Sequence, residues 1–135
     1  LKDTAWYKNQ PEGVVYAGRI LYEYKGRMQP NTSIAVKEGT LRIAYRAFEN
    51  CSGLTSIEFP NSVTIIEYGA FNNCTNLTSI TSLNTTPPDS IYNALDYNGK
   101  SISIYVPKQS VEAYISADNR KEFTNILPLE ERTNK

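Results

Sequence analysis

The sequence predicts an α/β chain dominated by β-structure: a short solenoid of about four coils, with a β-hairpin closing its N-terminal end and a helical segment closing the other. Three observations carry that prediction. "AFENCSGLTSI", beginning at Ala47, returns as "AFNNCTNLTSI", beginning at Ala70, so every matched letter is offset by 23 residues. In "LTSIEF" the apolar Ile57 and Phe59 alternate with Glu58, which is the period of a strand with one face inward and one in water. After Pro107 the period changes, and Val111, Tyr114 and Ile115 recur at helical spacing.

The chain divides on these grounds into an N-terminal hairpin cap (1–30), a repeat region (31–107) and a C-terminal helical cap (108–135), all in one domain. In the first, "VVYAGRILYEYKG" places two β-rich runs around Ala17–Gly18, and a hairpin is the expected result. Tyr22 and Tyr24 share a strand face with Ile20 and are expected to cover the core, while Trp6, Tyr7 and Tyr16 crowd the same end. An open sheet edge invites aggregation unless something covers it, which is why a cap is expected at each end.

Within the repeat region, Val36 meets Phe59, Ile43 meets Ile66 and Tyr45 meets Tyr68 at the same offset. "SIYNAL" carries the pattern on one residue late, with Tyr92 and Ala94 against Tyr68 and Ala70. "ISIYVP" aligns Ile104, Val106 and Pro107 with Ile57, Phe59 and Pro60. Strands in register at Ile34, Ile57, Ile80 and Ile104 follow, the third degraded because Ser82 stands in the apolar slot of Phe59. One such unit is too short to enclose its own apolar face. Stacking would bury Leu54, Ile57, Phe59, Val63, Ile66, Ala70 and Phe71 against their counterparts. "YGAFNNC" is expected to be a helical turn or an irregular return segment.

At the C-terminal end Ser110 is a good N-cap for the helix, and Phe123, Ile126, Leu127 and Leu129 are expected to close the last core. The polar "EERTNK" offers nothing further to bury, so the chain is expected to end near Lys135. Leu1 is not an initiator methionine and no basic-then-apolar segment precedes it, which suggests a trimmed or mature fragment.

Bulk properties exclude several functions. Fourteen basic and 14 acidic residues cancel, leaving no field to recruit nucleic acid or an anionic membrane. No apolar run approaches the roughly 18 residues a membrane-spanning helix needs. Histidine is absent, which removes the commonest general base near neutral pH and the commonest metal ligand. No phosphate-cradling glycine loop, nucleophile elbow or paired carboxylates in repeat register occur. The chain is therefore expected to be no enzyme and to hold no cofactor or metal.

A period in the range of about 20–29 residues with Leu and Ile at fixed offsets is the leucine-rich-repeat signature. "LTSIEFPNSVTIIEYGAFNNCTNLTSI" resembles the BspA-type leucine-rich repeat of bacterial cell-surface proteins, through Leu54, Ile57, Phe59, Pro60, Val63, Ile66, Ala70, Phe71 and Cys74. The likeness is close over Ile34–Ile80 and looser over Thr81–Pro107, and the paired prolines of "NTTPPD" depart from it. The resemblance implies a right-handed solenoid, a secreted or cell-surface location and an adhesion-type partner, either a protein or a glycan and including one from a host. It implies no catalytic residues. A monomer is expected, and the alternative role is a structural spacer or assembly domain with no ligand of its own.

Candidate residues fall in three groups. On leucine-rich repeats the outward strand face is where ligands bind, which nominates Ser33, Ala35, Ser56, Glu58, Ser79, Thr81, Ser103 and Tyr105. Such short polar side chains are equally what any solvated sheet face carries. Four strands of five residues cover about 250 Å², whereas a stable protein interface takes about 800 Å² per partner. Tyr45, Tyr68 and Tyr92 occupy one slot of successive repeats and are expected to form a phenol ladder, either bracing the stack or offering an aromatic strip to a ligand. Cys51 and Cys74 share a slot of adjacent repeats. Strands about 4.8 Å apart hold such side chains parallel, whereas a disulfide needs Cβ atoms about 3.8 Å apart and turned together. Free thiols are expected. Asn-x-Ser/Thr triplets begin at Asn31, Asn50, Asn73, Asn76 and Asn84, of which Asn50 and Asn73 follow from the repeat itself.

Overall fold

The computed structural model describes residues 2–95, 102–117 and 125–134. A single-turn helix α1 (Ala5–Lys8) precedes strands β1 (Gly13–Ala17), β2 (Ile20–Lys25), β3 (Thr32–Ala35), β4 (Arg42–Ile43), β5 (Leu54–Phe59), β6 (Ile65–Ile66) and β7 (Ser79–Ser82). A 3-10 turn (Ile91–Ala94) and β8 (Ser103–Val106) follow. A second 3-10 turn, Lys108–Ser110, runs into helix α2 (Val111–Ala117). Strand β9 (Ile126–Pro128) leads into a final 3-10 segment, Leu129–Asn134. The fold is β-rich, with few and short helices.

The 23-residue offset becomes hydrogen-bond register. Ile34, Ile57, Ile80 and Ile104 pair in sequence in a parallel sheet ordered β3-β5-β7-β8-β9. The chain builds a second sheet between these strands, ordered β1-β2-β4-β6, in which Leu21, Ile43 and Ile66 pair in parallel. The first two repeats thus add one strand to each sheet (β3 and β4, then β5 and β6). The third adds β7 and touches the second sheet through a bridge from Asp89 to Ile65, and inward residues meet their counterparts above and below. Leu54, Phe59, Val63, Ile66 and Ala70 are fully buried, and Ile57 and Phe71 nearly so, as the alternation predicts. Phe48 and Phe71 stack inside with centroids 5.6 Å apart and planes 6° from parallel. Large apolar side chains buried in this way are worth about 1.5–3 kcal/mol each.

The return segments are chained turns rather than helices. Ala70 N–H donates to Glu67, Asn72 to Gly69 and Cys74 to Phe71, each spanning three residues, while Phe48 and Asn50 donate to Ala70 and Asn72 of the next repeat. Asn50 and Asn73 sit at φ 64° and 59°. Asparagine tolerates this left-handed region better than most residues, which explains why the slot repeats. Their side chains also bond across the repeat, Asn73 Nδ2 donating to Asn50 Oδ1 at 2.9 Å. Gly53 replaces the Asn of position 76 for a different reason: a Cβ there would strike the backbone carbonyl of Gln29.

Both ends differ from expectation. The hairpin forms, with a two-residue turn at Gly18–Arg19, but Leu21 rather than Ile20 is the inward residue of β2. Ile20 is exposed, Tyr22 packs edge-on against Tyr7, and Tyr24 lies against Phe48. The β1–β2 pairing skips Tyr22, with Val15 opposite Glu23 and Tyr16 opposite Leu21, and this register shift breaks the parity, so Leu21 and Tyr24 both pack on the core. The helix α2 forms after Ser110 and buries Tyr114 completely while Ile115 faces solvent. The C-terminal segment is not helical alone: Ile126 pairs with Ile104, so β9 extends the sheet to a fifth strand. Phe123 lies outside the described residues.

Candidate functional site

The outward side of the five-stranded sheet forms a groove of about 470 Å³, bordered by Ser33, Ala35, Ser56, Glu58, Ser79, Thr81, Tyr105 and Arg132. Parallel pairing sets the outward residues in rows: Ser33, Ser56, Ser79 and Ser103 in one, Ala35, Glu58, Thr81 and Tyr105 in the next. Ser33 Oγ and Ser56 Oγ are 2.7 Å apart, a hydroxyl contact between neighbouring strands. The rows are not uniformly open. Ser33 and Ala35 are exposed at the β3 edge, whereas Thr81 and Tyr105 are buried. The segment Leu129–Asn134 lies against β8 and turns Arg132 back over the sheet. There Arg132 Nη1 donates to Glu58 Oε1 at 2.6 Å and to Thr81 Oγ1 at 3.1 Å. The polar C-terminal tail, expected to offer nothing further to bury, places the Arg132 side chain on the candidate face.

The tyrosine slot divides. Tyr45 and Tyr68 stack with centroids 6.2 Å apart and planes 21° from parallel, 53% and 60% exposed. Arg46 lies over the Tyr45 ring at 4.9 Å and pairs with Glu49 at 3.3 Å. Tyr92 leaves the ladder: it is buried, and its hydroxyl donates to the Tyr114 carbonyl at 2.7 Å. Backbone handedness explains the split. The left-handed residue follows the tyrosine in two repeats, at Arg46 (φ 54°) and Gly69 (φ 70°), but precedes Tyr92, at Ser90 (φ 65°). Against the 24-residue offset the left-handed residue falls three positions early, at Ser90, ahead of the 3-10 turn Ile91–Ala94 that holds the ring inward. Exposed Ile20 and Leu41 border a shallow groove of about 320 Å³ with Ile65, Arg19, Arg42 and Thr64 on the sheet whose strands β4 and β6 lead into the turns that carry the tyrosine pair.

Cys51 and Cys74 are both free thiols. Cys74 is buried and its Sγ donates to the Phe48 carbonyl at 3.1 Å. Burial first, and the Glu23 carboxylate second, push the Cys51 thiol up to about 11. A thiol held neutral in this way is a poor nucleophile and a poor metal ligand. Among the described residues no group of three or more His, Cys, Asp or Glu comes together. No helix among them is long and apolar enough to cross a membrane.

Arg132 is the site residue that sequence reasoning missed. It stands in a polar tail with no repeat counterpart, and only the fifth strand brings it to the groove. Residues 22–126 match the model of the BspA type leucine rich repeat region, in six copies. No match was found among the curated proteins or among the solved structures. The matched span begins in β2 and ends at the first residue of β9, so it takes in all of the paired strands β3 to β8. Sequence pattern and hydrogen-bond register therefore agree, and the chain belongs to the BspA-type leucine-rich-repeat family.

Proposed function

We propose that the chain is a non-catalytic binding module of a secreted or cell-surface protein, recognising a protein or glycan in an adhesion-type role. In this reading the two parallel ladders are the walls of a short right-handed solenoid of about four coils, with the hairpin (1–30) and the C-terminal segment (108–135) covering the ends of the repeat region (31–107). The observation that carries the function is the Tyr45–Tyr68 pair, two large rings more than half exposed yet held parallel. Rings ordered before binding lose little freedom on contact, and tyrosine combines apolar area with a hydroxyl, the combination that dominates interface hot spots and stacks on sugars. The Ile20–Leu41–Ile65 groove, on the sheet whose strands β4 and β6 lead into the tyrosine turns, gives a partner further apolar area. A flank contact also supplies what the strand face lacks, since about 250 Å² is well short of the 800 Å² or so a stable partner covers.

A spacer without a ligand is the second reading, favoured by the intramolecular contacts that already engage Glu58 and Thr81. Arrayed matrix proteins, mucins and polysaccharides, probed with the wild type and a Tyr45→Ala/Tyr68→Ala variant, separate the two. Recognition predicts binding that the folded variant loses. A folded wild type that binds nothing, or a variant that binds equally, removes the tyrosine flank from consideration.

A further inference from the structure

We infer that the strand-face groove recognises an arginine side chain presented by a partner polypeptide, and that Arg132 occupies this position in the free chain. Glu58 and Arg132 are the charged residues of the groove lining, and the rest of its polar character comes from the hydroxyls of Ser33, Ser56, Ser79, Thr81 and Tyr105. One guanidinium nitrogen reaches both the Glu58 carboxylate, at 2.6 Å, and the Thr81 hydroxyl, at 3.1 Å. A carboxylate beside hydroxyl acceptors fits the planar array of donors that arginine carries. Once Arg132 is displaced, an acidic ligand would be repelled by Glu58, and a neutral one would leave the Glu58 charge without the partner it has in the free chain.

The resident contact is displaceable. The Arg132 and Glu58 side chains are 40% and 41% exposed, and an ion pair in that setting is worth at most about 1 kcal/mol. About 470 Å³ of groove remains beside Arg132, and at its β3 end Ser33 and Ala35 are exposed. That volume lies in the range of about 300–1,000 Å³ typical of ligand sites. An entering arginine would take the place of Arg132 on Glu58 while its flanking backbone runs over the serine row toward β3. The inference depends on the chain being a recognition module, but it concerns a different surface from the tyrosine flank.

The test is an NMR titration of the full chain with a capped Gly-Gly-Arg-Gly-Gly peptide and its citrulline counterpart, which keeps the shape and removes the charge. The arginine peptide should shift the amides of Glu58 and Thr81 and the Arg132 Nε–H signal in the wild type, and the citrulline peptide should not. Emptying the site with Arg132→Ala should tighten binding by up to about sixfold, since the self-occupied fraction no longer competes. Adding Glu58→Gln should abolish it. Equal shifts from both peptides, no shift at Glu58 and Thr81, or equal affinity of wild type and folded Arg132→Ala would overturn the inference. The wild-type titration needs no substitution, so a variant that fails to fold does not protect it. The Tyr45→Ala/Tyr68→Ala variant should bind the peptide normally, which separates failure here from failure of the flank reading.

Discussion

Ser82 Oγ lies 2.8 Å from the Tyr114 phenolic oxygen, and both side chains are wholly buried. Tyr114 gives its single proton to the Asn84 carbonyl at 2.6 Å, so the Ser82 hydroxyl is the donor between the two. The polar letter that breaks the apolar slot of the third repeat is thus the anchor that fixes α2 on the stack. Replacing Tyr114 with Phe strands that donor and the Asn84 carbonyl, at a cost of about 1–3 kcal/mol for each buried group left unpaired. Tyr114→Phe/Ser82→Ala should recover part of the loss, and urea denaturation of the single and double variants measures the coupling.

The same phenol makes the protein sensitive to alkali. Burial pushes Tyr114 up to about 12 from an ordinary value of 10.0, with the Ser82 hydrogen bond partly opposing the shift. Cys51 moves in the same sense, from 9.0 to about 11. Below the lower value of each pair the group is protonated whether folded or not, and the contribution is complete. As pH rises through each interval the unfolded chain loses its proton first, so stability falls from about pH 9 to about pH 12. Urea midpoints measured across that range should decline, and less steeply in Tyr114→Phe.

Cys51 and Cys74 should resist thiol reagents in the native state. At pH 8 labelling should be at least about tenfold slower than for free cysteine, because the thiolate is the reactive form. Unfolding should release both thiols together, and reductant should change neither mass nor melting temperature. Rapid labelling of the folded chain would contradict the packing of both side chains.

Asn73 tests the left-handed slot. Asn73→Ala should destabilise the chain by about 1–2 kcal/mol, from the strained backbone together with the lost bond to Asn50. Asn73→Gly should lose less, since glycine restores the backbone preference and forfeits only the side-chain contact. Thermal melts of the two variants give the order.

Gly53 tests the close approach of β3's leading segment. Its backbone is not left-handed, so Gly53→Ala should be harmless on conformational grounds, yet the added methyl would meet the Gln29 carbonyl. A loss of about 1–3 kcal/mol is expected from this overpacking. Asn at this position should be worse still, although it is the residue the repeat carries at 76. Thermal melts read both.

The repeat made much of the fold legible. A fixed offset of 23 residues with alternating apolar positions is already a statement of strand register, and Ile34, Ile57, Ile80 and Ile104 pair as the letters align. The ends were less legible because they lack a second copy to compare. β9 is three residues long, and its pairing with β8 cannot be recognised without the sheet that receives it. Tyr92 was misplaced because the left-handed residue of its repeat is Ser90, before the ring rather than after it, a change of backbone sign that residue counting does not register.

The sequence by itself determined which residues stack on which, because identical units repeated at one spacing can bury their apolar letters only against one another. It also determined the free thiols, since matching slots hold side chains parallel rather than facing. Only the tertiary structure decided the partners of unrepeated groups: Tyr114 for Ser82, Arg132 for Glu58 and Thr81, the Tyr114 carbonyl for Tyr92. Those contacts join residues 22 to 74 positions apart, with no periodicity to relate them. Their distances are set by how the last strands and α2 settle on the sheet, which is a property of the whole stack.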